Sequence, residues 1–137
     1  MENYFAPILT STQLHAISPL GLAHIGDGVF ELLVRTWLIT CGKATAGSLH
    51  RATVTYVSAP AQAARVEKML PLLTETELAF YKRGRNANVH FVPKNASRGQ
   101  YSRAPGLESL FGALYLQGQN DRLNELFNLT MEDDHAI

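Results

Sequence analysis

The sequence predicts an all-α helical bundle carrying one long basic loop. Helix start and stop signals recur along most of the chain, and apolar residues return at helical spacing between them. The only stretches with strand character, Thr53–Val57 and Val89–Val92, do not alternate over a useful length. From Arg85 to Arg103 the chain is rich in Asn, Gly, Ser and Pro, which reads as a loop. Loops of that length within a compact domain are usually functional or disordered.

The elements follow in order. Ser18 caps a first long helix with Pro19 at its first position; apolar residues recur from Leu20 through Leu38, and Gly42 stops it. Ser48 caps a short helix over Leu49–Val57, with a strand over Thr53–Val57 as the alternative. Ser58 and Pro60 open a helix that runs through Ala64 and Met69 until Pro71 breaks it. Thr74 and Glu77 form a capping box for a helix ending near Gly84. Pro105 opens the next, with Leu107, Leu110, Phe111, Leu114 and Tyr115 on it and Gly118 at its end. Asp121 caps the last helix, which holds Leu123, Leu126, Phe127 and Leu129. The polar segment from Thr130 to Ile137 is expected to fray.

A length of 137 residues suits one domain over 1–137, and a hydrophobic content of 46% is too high for a disordered chain. A single cysteine, Cys41, excludes an internal disulfide and any zinc site built on several thiolates. No apolar run approaches the roughly 18 residues of a membrane span. Met1-Glu2-Asn3-Tyr4 also lacks the basic and apolar regions of a signal peptide. A soluble cytoplasmic protein with no membrane partner is expected.

The net charge is zero, but its distribution is uneven. No acid lies between Glu77 and Glu108, and that stretch holds Lys82, Arg83, Arg85, Lys94, Arg98 and Arg103, half of the 12 basic side chains. Acids collect near the C-terminal end, at Asp121, Glu125, Glu132, Asp133 and Asp134. A concentrated basic segment creates a local positive potential that attracts phosphates. A solvated loop whose charges serve solubility is the competing account.

Two carboxylates stand out by position. At 100° per residue, Asp27 shares a helical stripe with Leu20, Ala23, Phe30, Val34 and Leu38, and no Lys or Arg lies one turn away. Glu108 repeats the pattern on the helix opened by Pro105. An ionised carboxylate on an apolar face is costly unless neutralised. One hydrated Mg²⁺ between the two would satisfy both, as that ion takes one or two carboxylates together with water and phosphate oxygens. An Arg from another helix, or a backbone cap, would satisfy each separately. Glu31 shares the face of Asp27, but Arg35 four residues on offers it an ordinary ion pair. Gly26 and Gly28 flank Asp27 at a cost of roughly 1 kcal/mol each, which suggests close approach by a helix or a ligand. The histidines show no metal spacing, and no phosphate-cradling glycine loop is present, so no small-molecule cofactor is expected.

The segment Leu22-Ala23-His24-Ile25-Gly26-Asp27-Gly28-Val29-Phe30-Glu31 resembles the signature helix of the ribonuclease III family. Leu107-Glu108-Ser109-Leu110-Phe111-Gly112-Ala113-Leu114-Tyr115-Leu116 resembles its second acidic helix. With Lys82-Arg83-Gly84-Arg85-Asn86-Ala87 and Val92-Pro93-Lys94-Asn95, the resemblance narrows to the Mini-III ribonucleases, which consist of the catalytic domain without a double-stranded-RNA-binding domain. It covers nearly the whole chain.

The resemblance implies a ribonuclease III catalytic-domain-like bundle working as a homodimer. It implies Mg²⁺-dependent cleavage of double-stranded RNA to 5′-phosphate and 3′-hydroxyl ends, with the 23S ribosomal RNA precursor stem as substrate. Asp27 and Glu108 inherit the family's metal-binding and catalytic acids; Lys82, Arg83, Arg85, Asn86, Lys94 and Arg98 are the candidate RNA contacts. Full-length ribonuclease III has two further acids, at the places held here by Ala23 and Pro105. The alternative function is a non-catalytic RNA-binding or ribosome-assembly protein on the same fold, for which two acids that repel phosphate would serve no purpose.

Overall fold

The computed structural model describes residues 2–42, 45–87 and 98–131, and only the backbone of 98–102. Within them the chain forms α1 (Ser11–His15), α2 (Pro19–Thr40), α3 (Ala46–Val57), α4 (Ala59–Met69), α5 (Glu75–Asn86), α6 (Arg98–Leu116) and α7 (Asn120–Thr130), with a 3₁₀ turn at Leu70–Leu72. The described residues contain no strand. No helix among them is long and apolar enough to cross a membrane.

Several helix ends follow the expected chemistry. Ser18 and Ser58 each accept a hydrogen bond from the third residue beyond, Gly21 and Ala61, and a proline follows within two positions. Thr74 and Glu77 close a reciprocal capping box, Thr74 N–H donating to Glu77 at 2.9 Å and Glu77 N–H to Thr74 at 3.2 Å. A second capping box, Thr10 with Gln13, starts the five-residue α1, which the sequence reading missed. So short a helix carries too few turns to show a period.

Several expectations need correction. Helix α3 starts at Ala46 because Thr45, not Ser48, accepts the capping hydrogen bond, and Thr53–Val57 is helical rather than extended. Helix α6 starts at Arg98, so Pro105 lies inside it. Gln119 occupies the cap of α7 and Asp121 sits in its first turn, where a negative charge meets the positive end of the helix dipole. Thr130 belongs to α7 and is buried with Met131. Of the expected loop, Arg85 and Asn86 end α5 and Arg98–Arg103 lie in α6. Val89–Val92, Lys94 and residues 132–137 fall outside the described residues.

Helix α6 is the centre of the bundle. It packs most extensively on α2, then on α5 and α4. Its Leu107, Leu110, Phe111 and Ala113 are inaccessible to solvent. They meet Leu22, Phe30, Val34 and Leu38 of α2 and Phe80 and Tyr81 of α5 in one apolar core. Phe30 stands edge-on to Phe111 and Phe127, with ring centroids 5.8 and 6.1 Å apart, which ties α2, α6 and α7 together. Arg122 of α7 clamps Glu77 of α5 with two 2.8 Å hydrogen bonds and also donates to the Leu72 carbonyl at 2.9 Å.

Candidate active site

Helices α2 and α6 cross at glycines. A Cβ added at Gly26 would lie 1.6 Å from the carbonyl oxygen of Glu108, and one at Gly112 would lie 2.0 Å from the carbonyl oxygen of Leu22. The two backbones therefore touch with no side chain between them. Of the alternatives open for the glycines flanking Asp27, Gly26 takes helix approach, whereas Gly28 faces open space with nothing within 4 Å. Because Asp27 follows Gly26 directly, this crossing carries it to Glu108.

Asp27 is solvent-exposed and Glu108 half-buried. Asp27 thus lies on the rim of its stripe, in which Ala23, Phe30, Val34 and Leu38 are buried while Leu20 is half-exposed. The two carboxyls lie side by side, close enough to act on each other's titration. Burial, then the hydrogen bond and negative charge of Asp27, push the Glu108 carboxyl up to about 8, against a weaker opposing hydrogen bond from Gln62. Raised so far, the Glu108 carboxyl keeps its proton into the neutral range. Among the described residues no Lys, Arg or His pairs with either acid. Among those residues no separate guanidinium neutralises either acid, and two neighbouring carboxyls form a site short of positive charge.

The pair fits a hard divalent ion such as Mg²⁺ in donor type and in charge. The described residues hold no cluster of three or more His, Cys, Asp or Glu. Glu31 pairs with Arg35 at 3.2 Å, the ordinary intrahelical bridge.

The third wall comes from α4. Gln62 is buried, and its Nε2 donates to the Val57 carbonyl at 2.9 Å. Sequence reading missed it, although the signal was there: Gln62 lies on one helical face with Val66 and Met69, a polar residue in an apolar stripe like Asp27.

Helix α5 packs on the same turn of α6. A Cβ at Gly84 would meet the Pro105 carbonyl oxygen and Ser109 Cβ at 2.5 and 2.4 Å, which places the end of α5 beside the turn bearing Glu108. Ser109, inaccessible to solvent, donates to the Pro19 carbonyl at 3.2 Å and ties this turn to the start of α2.

The basic candidates at the end of α5 differ in their surroundings. Lys82 and Asn86 are exposed. Arg85 lies over the Tyr81 ring, 5.9 Å from its centroid, and donates to Asn86 at 3.1 Å. Arg83 turns inward over Phe80 and reaches the Ile17 carbonyl at 3.4 Å, with its buried Nη1 lacking a partner. The Arg98 side chain and Lys94 lie outside the described residues.

Residues 20–119 match the ribonuclease III domain family. The chain is 45% identical over 114 residues to the Mini-ribonuclease 3 of Enterococcus faecalis, covering 82% of this chain and 86% of that protein. It is 38% identical over 133 residues to the Mini-ribonuclease 3 of Clostridium tetani, covering 96% and 88% respectively. Its fold is similar to the crystal structure of protein FN1578 from Fusobacterium nucleatum, with a TM-score of 0.79, 26% identity, and 85% and 90% of the two chains covered. A helical frame, an acid pair at a glycine crossing and these likenesses agree: the chain belongs to the ribonuclease III domain family, in its Mini-ribonuclease 3 branch, and is an endoribonuclease of that family.

Proposed function

We propose that this endoribonuclease cleaves double-stranded RNA in a Mg²⁺-dependent reaction at Asp27 and Glu108, and that its substrate is the stem of the 23S ribosomal RNA precursor. The observation that carries this reading is the pair of acids brought side by side at the Gly26–Glu108 crossing with no cation among the described residues to neutralise it. Asp27 and Glu108 hold the ion. When bound, Mg²⁺ supplies Lewis acidity toward the scissile phosphate and the attacking water. The ends left are a 5′-phosphate and a 3′-hydroxyl.

The protein's own groups supply position. The α2–α6 crossing sets both carboxyls on one site, and the end of α5 beside it offers cations to the backbone of the duplex. Lys82, Arg83, Arg85, Asn86, Lys94 and Arg98 are the proposed RNA contacts. Duplex RNA is read through its shape, phosphates and 2′-hydroxyls, so sequence preference is weak.

The working form is a cytoplasmic homodimer, a reading supported by Phe5, Ile8 and Leu32, apolar side chains left 89, 81 and 61% exposed. Phe5 and Leu32 share a surface groove with Val29, Leu33 and Tyr115.

Incubating the protein with labelled precursor stem, in Mg²⁺ or in EDTA, tests the proposal. Cleavage only in Mg²⁺, lost in Asp27→Asn while duplex binding persists, is the expected result. Binding without any cut in Mg²⁺ would favour the ribosome-assembly alternative instead.

A further inference from the structure

Gln62 has three features that a core amide does not need together. It is 3% exposed, its Nε2 is anchored on Val57 at the corner between α3 and α4, and its Oε1 has no donor. Its carboxamide also lies beside the Glu108 carboxyl, whose titration it lowers. An amide nitrogen carries two hydrogens, so with one on the Val57 anchor the other is available to a carboxylate beside it. A buried acceptor left without a donor costs stability. A methionine or leucine here would avoid that cost, so packing alone does not account for the residue.

We propose that Gln62 is a positioning residue of the cleavage site: its carboxamide, held by the Val57 carbonyl, fixes the Glu108 carboxylate in the orientation that receives the divalent ion. This rests on the reading that Asp27 and Glu108 hold that ion. Groups that orient a ligand from behind typically change metal affinity by about 10- to 100-fold when removed. Gln62 touches neither RNA nor the reacting atoms in this role, so its loss acts through the ion and leaves duplex binding alone.

The test is Gln62→Met, which keeps the length and drops the amide. Mg²⁺ binding is measured by calorimetry on the RNA-free protein, alongside the Mg²⁺ dependence of cleavage, duplex affinity in EDTA and the melting temperature. We expect Mg²⁺ to bind about tenfold more weakly, the half-saturating Mg²⁺ for cleavage to rise in step, and excess Mg²⁺ to restore most of the rate. Duplex affinity should stay at the parent value, and the melting temperature should not fall. A folded variant that binds Mg²⁺ as tightly as the parent overturns the proposal.

Should Gln62→Met fail to fold, Gln62→Asn, too short to span Val57 and Glu108 together, carries the same two outcomes. Glu108→Gln is run in parallel. If it loses Mg²⁺ binding while the Gln62 variants keep it, only the role of Gln62 falls. If Glu108→Gln binds like the parent, the metal reading falls and takes this proposal with it.

Discussion

The backbone of Gly26 lies so close to the carbonyl of Glu108 that a methyl group at position 26 would sit 1.6 Å from its oxygen. No rotamer change relieves such a clash, because both partners are main chain in the middle of helices. Gly26→Ala is expected to force α2 and α6 apart. It should destabilise the protein by about 3 kcal/mol, the upper end for overpacking, with cleavage abolished even where the fold survives. Gly28→Ala is the control: its Cβ meets nothing within 4 Å, and replacing a helical glycine should stabilise by about 0.5–1 kcal/mol. Urea denaturation of both variants checks the pair, and equal losses would contradict the crossing.

Glu108 makes the metal-free protein sensitive to pH. Its carboxyl is raised from an ordinary 4.5 to about 8, so between those values the folded state holds a proton that the unfolded state has released. Stability from this source is full below 4.5 and falls as pH rises through 8. In EDTA, Glu108→Gln should therefore melt at a higher temperature than the parent at pH 8, with the gap closing towards pH 4. Mg²⁺ should raise the melting temperature of the parent and leave the variant unmoved. Parallel melting curves across that range would reject the retained proton.

The clamp between Arg122 and Glu77 has the opposite sign. The Arg122 guanidinium, chiefly through its hydrogen bonds, holds the Glu77 carboxyl below its ordinary value. The stability this provides is present above pH 4.5 and is lost as pH falls through the depressed value. Arg122→Met leaves a buried carboxylate unpaired and should cost about 3 kcal/mol at pH 7, with little cost near pH 2. Thermal melts of parent and variant at the two pH values check this.

Charge removal along the basic segment separates phosphate binding from bracing. Lys82→Ala, Arg85→Ala and Lys94→Ala should each weaken duplex binding and flatten the dependence of log K on log salt by about one unit for each phosphate no longer neutralised. Arg83→Met should in addition lower the melting temperature, because Arg83 packs on Phe80 and reaches the Ile17 carbonyl. Salt slopes equal to the parent's would reject direct phosphate contact by these residues.

How much of the fold and the site is legible in the sequence depends on whether the cause is local. Ser18, Ser58 and the Thr74–Glu77 box are readable because a cap is decided within four residues. Asp27 and Glu108 are readable as misplaced charges, since an apolar stripe shows in the spacing. Their meeting follows from the family resemblance and not from spacing, because it depends on two helices crossing at Gly26 and Gly112. Pro105 misleads: proline suits a helix start so well that the turns before it read as loop, yet α6 runs through it. Gln62 escapes because an amide carries no charge to draw attention, although its place among Val66 and Met69 is the same anomaly.

The glycine crossing also limits how the site can change over evolutionary time. With main chain against main chain, the gap between the two rods has no adjustable spacer, and any bulkier substitution widens it in one coarse step. Fine adjustment of the proposed ion site is left to the residues lining the cleft, which can change without disturbing the frame.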